Sequence, residues 1–258
     1  MNNVIMKASH LRKYYGGVRA LDDFSYSIEE GKRIGLIGPN GAGKSTLFNL
    51  LSGAVKPTGG RIEIAGKDMT GRRPDQFSRH GVARTFQNIR LFKGLTVFEN
   101  VLAGFHQKSD LSIWRGIFGS PSFRNREQEL REQAERLLRS FGLIEKRDEL
   151  AVHLSYGDQR RLEIVRAMAT GPRILFLDEP AAGMNAYESR QLVELIRQLW
   201  EEHRLTVVLI EHDMDVVMKL CEDILVLDYG KLIFRGTPDE VRNSSIVREA
   251  YLGGEADA

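Results

Sequence analysis

An α/β fold built on a mixed, largely parallel sheet, with an antiparallel β edge and an inserted helical lobe, is the architecture this sequence predicts. Three observations carry it. Short apolar runs alternate with segments of helical period, and a glycine-rich turn joins one such run to a helix. The middle of the chain, from about Gly94 to Gly171, then changes to mostly helical patterning. With 258 residues, 42% hydrophobic and 28% charged, the chain has enough apolar material for a substantial core.

The elements follow in order. "RIGLIG" (Arg33 to Gly38) reads as a strand covered on both faces. A helix then opens near Lys44, with Thr46, Leu47, Leu50 and Leu51 in its first turns and Gly53 at its end. "RIEIAG" (Arg61 to Gly66) alternates and reads as an antiparallel edge. In the middle, Leu130, Ala134, Leu137, Leu138 and Phe141 share one helix face. An irregular insert is expected from His106 to Glu127, mixing Trp114, Ile117, Phe118 and Phe123 with Gly116, Gly119 and Pro121. "ILFLD" (Ile174 to Asp178) and "TVVLIEH" (Thr206 to His212) are two further covered strands. Between them lies a helix that presents Leu192, Leu195, Ile196 and Leu199 on one face. "DILVLDYGKLIFRG" (Asp223 to Gly236) reads as a hairpin turning at Tyr229-Gly230, and the final "GGEADA" is expected to fray. The pattern gives a single domain, 1–258, in two lobes. Residues 1–93 and 172–258 form the α/β lobe, and 94–171 the helical one.

Composition narrows the function classes. The net charge of +2 comes from mixed charges and offers no case for a nucleic-acid partner. A single cysteine, Cys221, excludes an intrachain disulfide and a multi-cysteine metal site; among Val217, Met218 and Leu220 it reads as a packed thiol. The opening "MNNVIMKASH" has no h-region, and no apolar run reaches the length of a membrane span. A cytosolic chain is expected, with any membrane role supplied by a partner.

The chemistry begins at "GPNGAGKST", Gly38, Pro39, Asn40, Gly41, Ala42, Gly43, Lys44, Ser45 and Thr46, a match to the phosphate-binding loop G-x-x-x-x-G-K-[ST]. Gly41 and Gly43 let successive N–H groups turn toward phosphate oxygens. Lys44 brings positive charge to the β and γ phosphates, and the Ser45 hydroxyl is a ligand for Mg²⁺. Asp178 and Glu179 end an apolar strand. Alone they are an acidic turn before Pro180; beside a phosphate loop, Asp178 suits the metal and Glu179 the attacking water. His212, Gln87 and Tyr15 have ordinary readings when taken singly. A loop histidine is usually solvated, and an aromatic before a Gly-Gly turn either packs on a strand or stacks on a base. "LSYGDQRR" (Leu154 to Arg161) fits a capping box, with Ser155 at the N-cap and Asp158 at N3.

Taken together the motifs resemble the ATP-binding subunits of ABC transporters over nearly the whole chain. In order they are Tyr15 (the A-loop), Gly38 to Thr46 (Walker A), Gln87 (Q-loop), Leu154 to Gln159 (signature), Ile174 to Glu179 (Walker B) and His212 (switch histidine). "GVARTFQNIRLFKGLTVFENVL", "LSYGDQRRLEIVRAM" and "LDEPAAGMN" are most similar to the longer ATPase subunit of high-affinity branched-chain amino acid importers. ATPases of urea and short-amide importers have similar sequences. The resemblance implies the ABC variant of the P-loop NTPase fold, and ATP and Mg²⁺ as cofactors. Catalytic roles fall on Glu179, His212, Gln87 and Lys44, and metal contacts on Ser45, Gln87 and Asp178. Besides the phosphate loop, it places Tyr15, Ser155, Gly157 and Gln159 against nucleotide. Its implied partners are a second ATPase, either a different shorter chain or a second copy, and two integral membrane permease subunits, with an extracytoplasmic binding protein acting indirectly. The implied place is the cytoplasmic face of the inner membrane. The transmission groove of the family would lie by Gln87, near the apolar Ile89, Leu91 and Phe92. The rival is a soluble ABC ATPase; such proteins carry two cassettes or long coiled coils, and this chain shows one cassette and no sustained heptads. A non-hydrolysing scaffold subunit would be expected to lack Glu179 or Lys44, and both are present. Two departures from the family stand out: Asn185 where aspartate is usual after Walker B, and Tyr156 and Asp158 within the signature.

Overall fold

A computed structural model describes residues 3–105 and 121–253. Trp114, Ile117, Phe118 and the final five residues lie outside them. The chain divides into two compact units, one of residues 1–84 with 173–258 and the other of residues 85–172.

The first unit holds two sheets. Strands β1 (Val4–Tyr15), β2 (Val18–Glu29), β4 (Gly59–Ile64) and β5 (Lys67–Asp68) form an antiparallel sheet in the order β2-β1-β4-β5. β4 was expected at an edge; it has β1 on one side and the two-residue β5 on the other. The long first hairpin leaves no clean alternation in the sequence, because four shifts interrupt the register between β1 and β2. The second sheet runs β10-β9-β3-β8-β7-β6. β3 (Arg33–Ile37), β6 (Val82–Arg84), β7 (Ile174–Asp178), β8 (Thr206–Ile210) and β9 (Asp223–Asp228) are mutually parallel, and β10 (Lys231–Gly236) returns antiparallel. β7 and β8 are buried at every position, which is why they read as unbroken apolar runs. The hairpin turn at Tyr229 and Gly230 has positive φ at both positions, +42° and +76°, as a tight two-residue turn requires. Helix α1 (Lys44–Leu51) packs Phe48 edge-on against Phe176 of β7, centroids 5.0 Å apart.

Register sets the functional edge. Leu36 of β3 and Asp178 of β7 both pair with Ile210 of β8, so three parallel strands end level. In an open α/β sheet that carboxyl end is where ligands bind. β8 stops at Ile210, so Glu211 and His212 lie just beyond it.

The second unit is helical: α2 (Pro74–Arg79) belongs to the first unit, whereas α3 (Val97–Phe105), α4 (Pro121–Ser140) and α5 (Tyr156–Ala169) belong here. Residues 121–127, expected within an irregular insert, are the start of α4. Charged pairs one turn apart, Glu127 with Arg131 at 3.0 Å and Glu135 with Arg139 at 3.3 Å, support a solvent-facing helix there. Asn100, fully buried on α3, accepts from the Phe92 N–H at 2.9 Å and donates to the Phe92 and Thr96 carbonyls at 3.1 and 2.9 Å. Those bonds, with others from α5, place residues 85–93 in the helical unit.

Candidate functional site

The phosphate loop leaves β3 at Gly38. A Cβ there would sit 2.1 Å from the Leu227 carbonyl oxygen, and one on Gly43 would sit 2.5 Å from that of Ala20. With φ of +147° and +99°, both positions are closed to other residues. Helix α1 starts at Lys44 without a side-chain cap and without an acid in its first turn, leaving its positive end open to an anion. The Lys44 ammonium donates to the carbonyls of Gly38 and Pro39 at 2.7 and 2.8 Å. Burial holds its pKa below the ordinary lysine value, opposed by the charge of Glu179. Ser45 is exposed at the mouth of the loop, and Thr46 is half-buried behind it. The donor set fits a nucleotide phosphate chain with Mg²⁺. A hydroxyl and one nearby carboxylate suffice where phosphate and water supply the other ligands.

At the level strand ends the acids take distinct environments. Asp178, 5% exposed, accepts from Arg84 at 2.7 Å. Arg84 donates further to Asn49 of α1 (2.6 Å) and to Ser52 at its C-cap (3.1 Å), and so ties the strand carrying Asp178 to the helix behind the phosphate loop. Glu179 adopts φ +47°, a conformation that costs a non-glycine residue on the order of 1–3 kcal/mol and marks functional sites. Its Oε1 lies 2.9 Å from His212 Nε2, with the histidine half exposed. Glu211, 4% exposed, ties together the two loops that carry that pair. Its two oxygens accept from the backbone N–H groups of Ala181 (2.7 Å) and His212 (3.1 Å). Burial pushes its carboxyl pKa up, against those backbone bonds. Tyr15 and Tyr14 are told apart by their partners. The Tyr14 hydroxyl donates to Asp22 at 2.9 Å, whereas Tyr15 is 47% exposed, with the Lys13 ammonium over its ring 4.8 Å from the centroid.

Gln87, Ser155, Gly157 and Gln159 belong to the second unit. Ser155 is the N-cap of α5, its Oγ accepting from the Asp158 N–H at 3.2 Å. The other half of the expected box differs. Asp158 does not reach the Ser155 N–H; its Oδ2 accepts the Ser155 hydroxyl hydrogen at 2.9 Å and the Lys146 ammonium at 2.6 Å. Gln159 donates to the Leu154 carbonyl at 2.9 Å. The Tyr156 hydroxyl accepts from Arg160 at 3.2 Å, which turns the ring along the helix. Gln87 is exposed, and its backbone carbonyl accepts from Arg160. Ile89 and Leu91 are half-buried and Phe92 is exposed.

Asn185 also has a structural use. Its Oδ1 caps helix α6 (Ala186–His203), accepting from Tyr187 and Glu188 N–H at 2.9 and 3.0 Å, while Glu188 returns a bond to the Asn185 N–H. Arg84, Glu211 and Tyr251 support the site from outside every family motif named above. The last, on helix α7 (Ser245–Gly253), accepts the Gly38 N–H at 2.9 Å through its hydroxyl. A charged residue inside the apolar "GVARTF" and "VVLIEH" is the one signal that could have found the first two.

A family model described as ABC transporter matches residues 21–182, and a second, described as branched-chain amino acid ATP-binding cassette transporter, matches residues 231–257. The high-affinity branched-chain amino acid transport ATP-binding protein LivG of Salmonella typhimurium is 44% identical over 98% of this chain and 99% of its own length. BraF of Pseudomonas aeruginosa, described in the same words, is also 44% identical, again over 98% and 99%. Among solved structures, the ADP conformation of MJ1267, an ATP-binding cassette of an ABC transporter, superposes with a TM-score of 0.84. It shares 31% identity over 97% of this chain and 99% of that one.

Proposed function

Because the chain belongs to the ATP-binding proteins of ABC transporters, we propose that it hydrolyses ATP to power import of branched-chain amino acids. The carrying observation is the contact of Glu179 with His212 at strand ends level with the phosphate loop. Lys44 and the N–H groups opening α1 hold the β and γ phosphates, and Tyr15 receives the adenine. Ser45 and Asp178 would hold Mg²⁺, which supplies positive charge to the phosphate oxygens. Glu179 orients and polarises the water that attacks the γ-phosphorus, and His212 holds Glu179 in place. Ser155, Gly157 and Gln159 meet ATP held by a partner ATPase. Supporting the choice of solute are the 231–257 match and the two 44% relatives. Two permease subunits and a solute-binding protein complete the assembly, with this chain peripheral at the cytoplasmic face of the membrane. No helix among the described residues is long and apolar enough to cross one.

The test is reconstitution with the permease subunits and sister ATPase of a branched-chain amino acid importer. Glu179→Gln should keep ATP affinity and slow hydrolysis by at least about a hundredfold. Near-normal turnover would remove Glu179 from the role. Stimulation by urea-loaded rather than leucine-loaded binding protein would replace the solute.

A further inference from the structure

The second unit contains a buried ion pair that none of the chemistry above uses. Arg160 and Glu163, one turn apart on α5, have side chains only 2% exposed and meet at 3.1 Å. Most of their bonding capacity goes elsewhere. Arg160 donates to the main-chain carbonyls of Phe86, at 2.6 Å, and Gln87. Glu163 accepts the main-chain N–H groups of Phe86 and Arg90, each at 3.3 Å. Four bonds thus run from two helix positions to one loop. All four end on backbone, so they fix the path of residues 86–90 whatever side chains the loop carries.

Stability does not explain the pair. Apolar side chains of like volume commonly serve a core as well as a buried ion pair or better. Keeping the charges also leaves the buried Arg160 Nε–H without a partner, and burial pushes the Glu163 carboxyl pKa up against the pull of Arg160. What an apolar pair lacks is the ability to grip main chain. The same helix begins at Ser155, so the grip joins the signature stretch to the Gln87 loop.

We propose that Arg160 and Glu163 are positioning residues that clamp the Gln87 loop to the helix capped by Ser155, making the two one moving body. The inference rests on the reading of Gln87 and Ser155 as ATP-contacting residues. Displacement of residues 87–92 by a membrane subunit then displaces Ser155 with them, and solute arrival is felt at the ATP site without a separate relay.

The double substitution R160M/E163L keeps the volume and removes the grip. In the full chain, amide exchange of residues 86–90 should rise about tenfold or more while the rest of α5 keeps its protection. In the reconstituted transporter, hydrolysis stimulated by solute-loaded binding protein should fall to the basal level, with ATP affinity of the isolated chain unchanged. Unaltered exchange in 86–90, or stimulated hydrolysis within twofold of the parent, overturns the proposal. E163Q, which preserves shape but weakens the acceptor, gives the same two readouts if the double variant does not fold. E179Q run alongside separates the two ideas. If it hydrolyses ATP normally the site reading falls, while the exchange measurement still decides the clamp.

Discussion

Replacing Asp158 by asparagine should leave the ATPase of the assembled transporter equal to or faster than the parent, while costing the isolated chain stability. Ser155 has a single hydroxyl hydrogen, and it is donated to Asp158 Oδ2 at 2.9 Å. To reach a γ-phosphate held by the partner ATPase, Ser155 must give up that bond. A bond to an ionised acceptor contributes about 1.5–3 kcal/mol against about 0.5–1.5 for a neutral one. Asparagine therefore lowers the switching cost by about 1 kcal/mol, about fivefold in an equilibrium. Charge acts in the same direction. A carboxylate about 8 Å from phosphate, at an effective dielectric of about 20, is repelled by about 2 kcal/mol per unit charge. Lys146, on the same oxygen, offsets most of this and is released to attract phosphate once Asp158 is neutral. The stability cost is the weakened Lys146 bond. That side chain is 40% exposed, so the loss is on the order of 0.5–1 kcal/mol, with a similar contribution from the helix N-terminus. Thermal unfolding should register a fall of about 2–6 °C. Burial raises the Asp158 carboxyl pKa, but the Lys146 and Ser155 bonds outweigh it and hold it below the ordinary aspartate value. Its contribution is therefore present above the unfolded aspartate value near 3.8 and disappears as pH falls through the lower folded one. The difference in melting temperature between parent and variant should close in strong acid. Turnover below half that of the parent, in a complex that still assembles, would refute the argument.

Other perturbations test separate parts of the site. Tyr15→Ala should weaken ATP binding by about 1–3 kcal/mol, the range for base–aromatic stacking, and Tyr14→Ala by less; the reverse order in a titration of the isolated chain would move the adenine site. Ser155→Arg should abolish ATP-driven closure at the site it faces while ATP binding to the isolated chain persists, and unchanged transport would reduce the stretch to a helix cap. Tyr251→Phe removes the hydroxyl on the Gly38 N–H, and a neutral hydrogen bond of about 1 kcal/mol caps the loss of ATP affinity near fivefold. A loss well beyond that would mean that α7 does more than steady the loop.

What could be read from the sequence was chemistry written contiguously. The phosphate loop is nine consecutive residues, and the glycines it needs are forced by backbones that approach within 2.1 and 2.5 Å of a would-be Cβ. The Ser155 cap was legible because its partner, Asp158, is three residues away. Contacts between distant positions left no such trace. Gly38 and Tyr251 are 213 residues apart, Arg84 and Asp178 are 94 apart, and only the fold brings them together. The first hairpin escaped for a different reason: its bulges break the period of two that marks a strand.

Both charge-changing departures from the family pattern sit at helix N-termini. Aspartate and asparagine both cap well, so Asn185 keeps the bonds to Tyr187 and Glu188 while dropping a charge. At Asp158 the exchange runs the other way, since an acid where glutamine is usual gains Lys146 and the helix N-terminus at the expense of the serine proton. One substitution removes a negative charge beyond Walker B, and the other adds one at the start of the signature helix. The double change Asp158→Asn with Asn185→Asp restores a family-like charge arrangement, and its ATPase should equal the product of the two single effects; a departure from that product would show the two positions to be coupled.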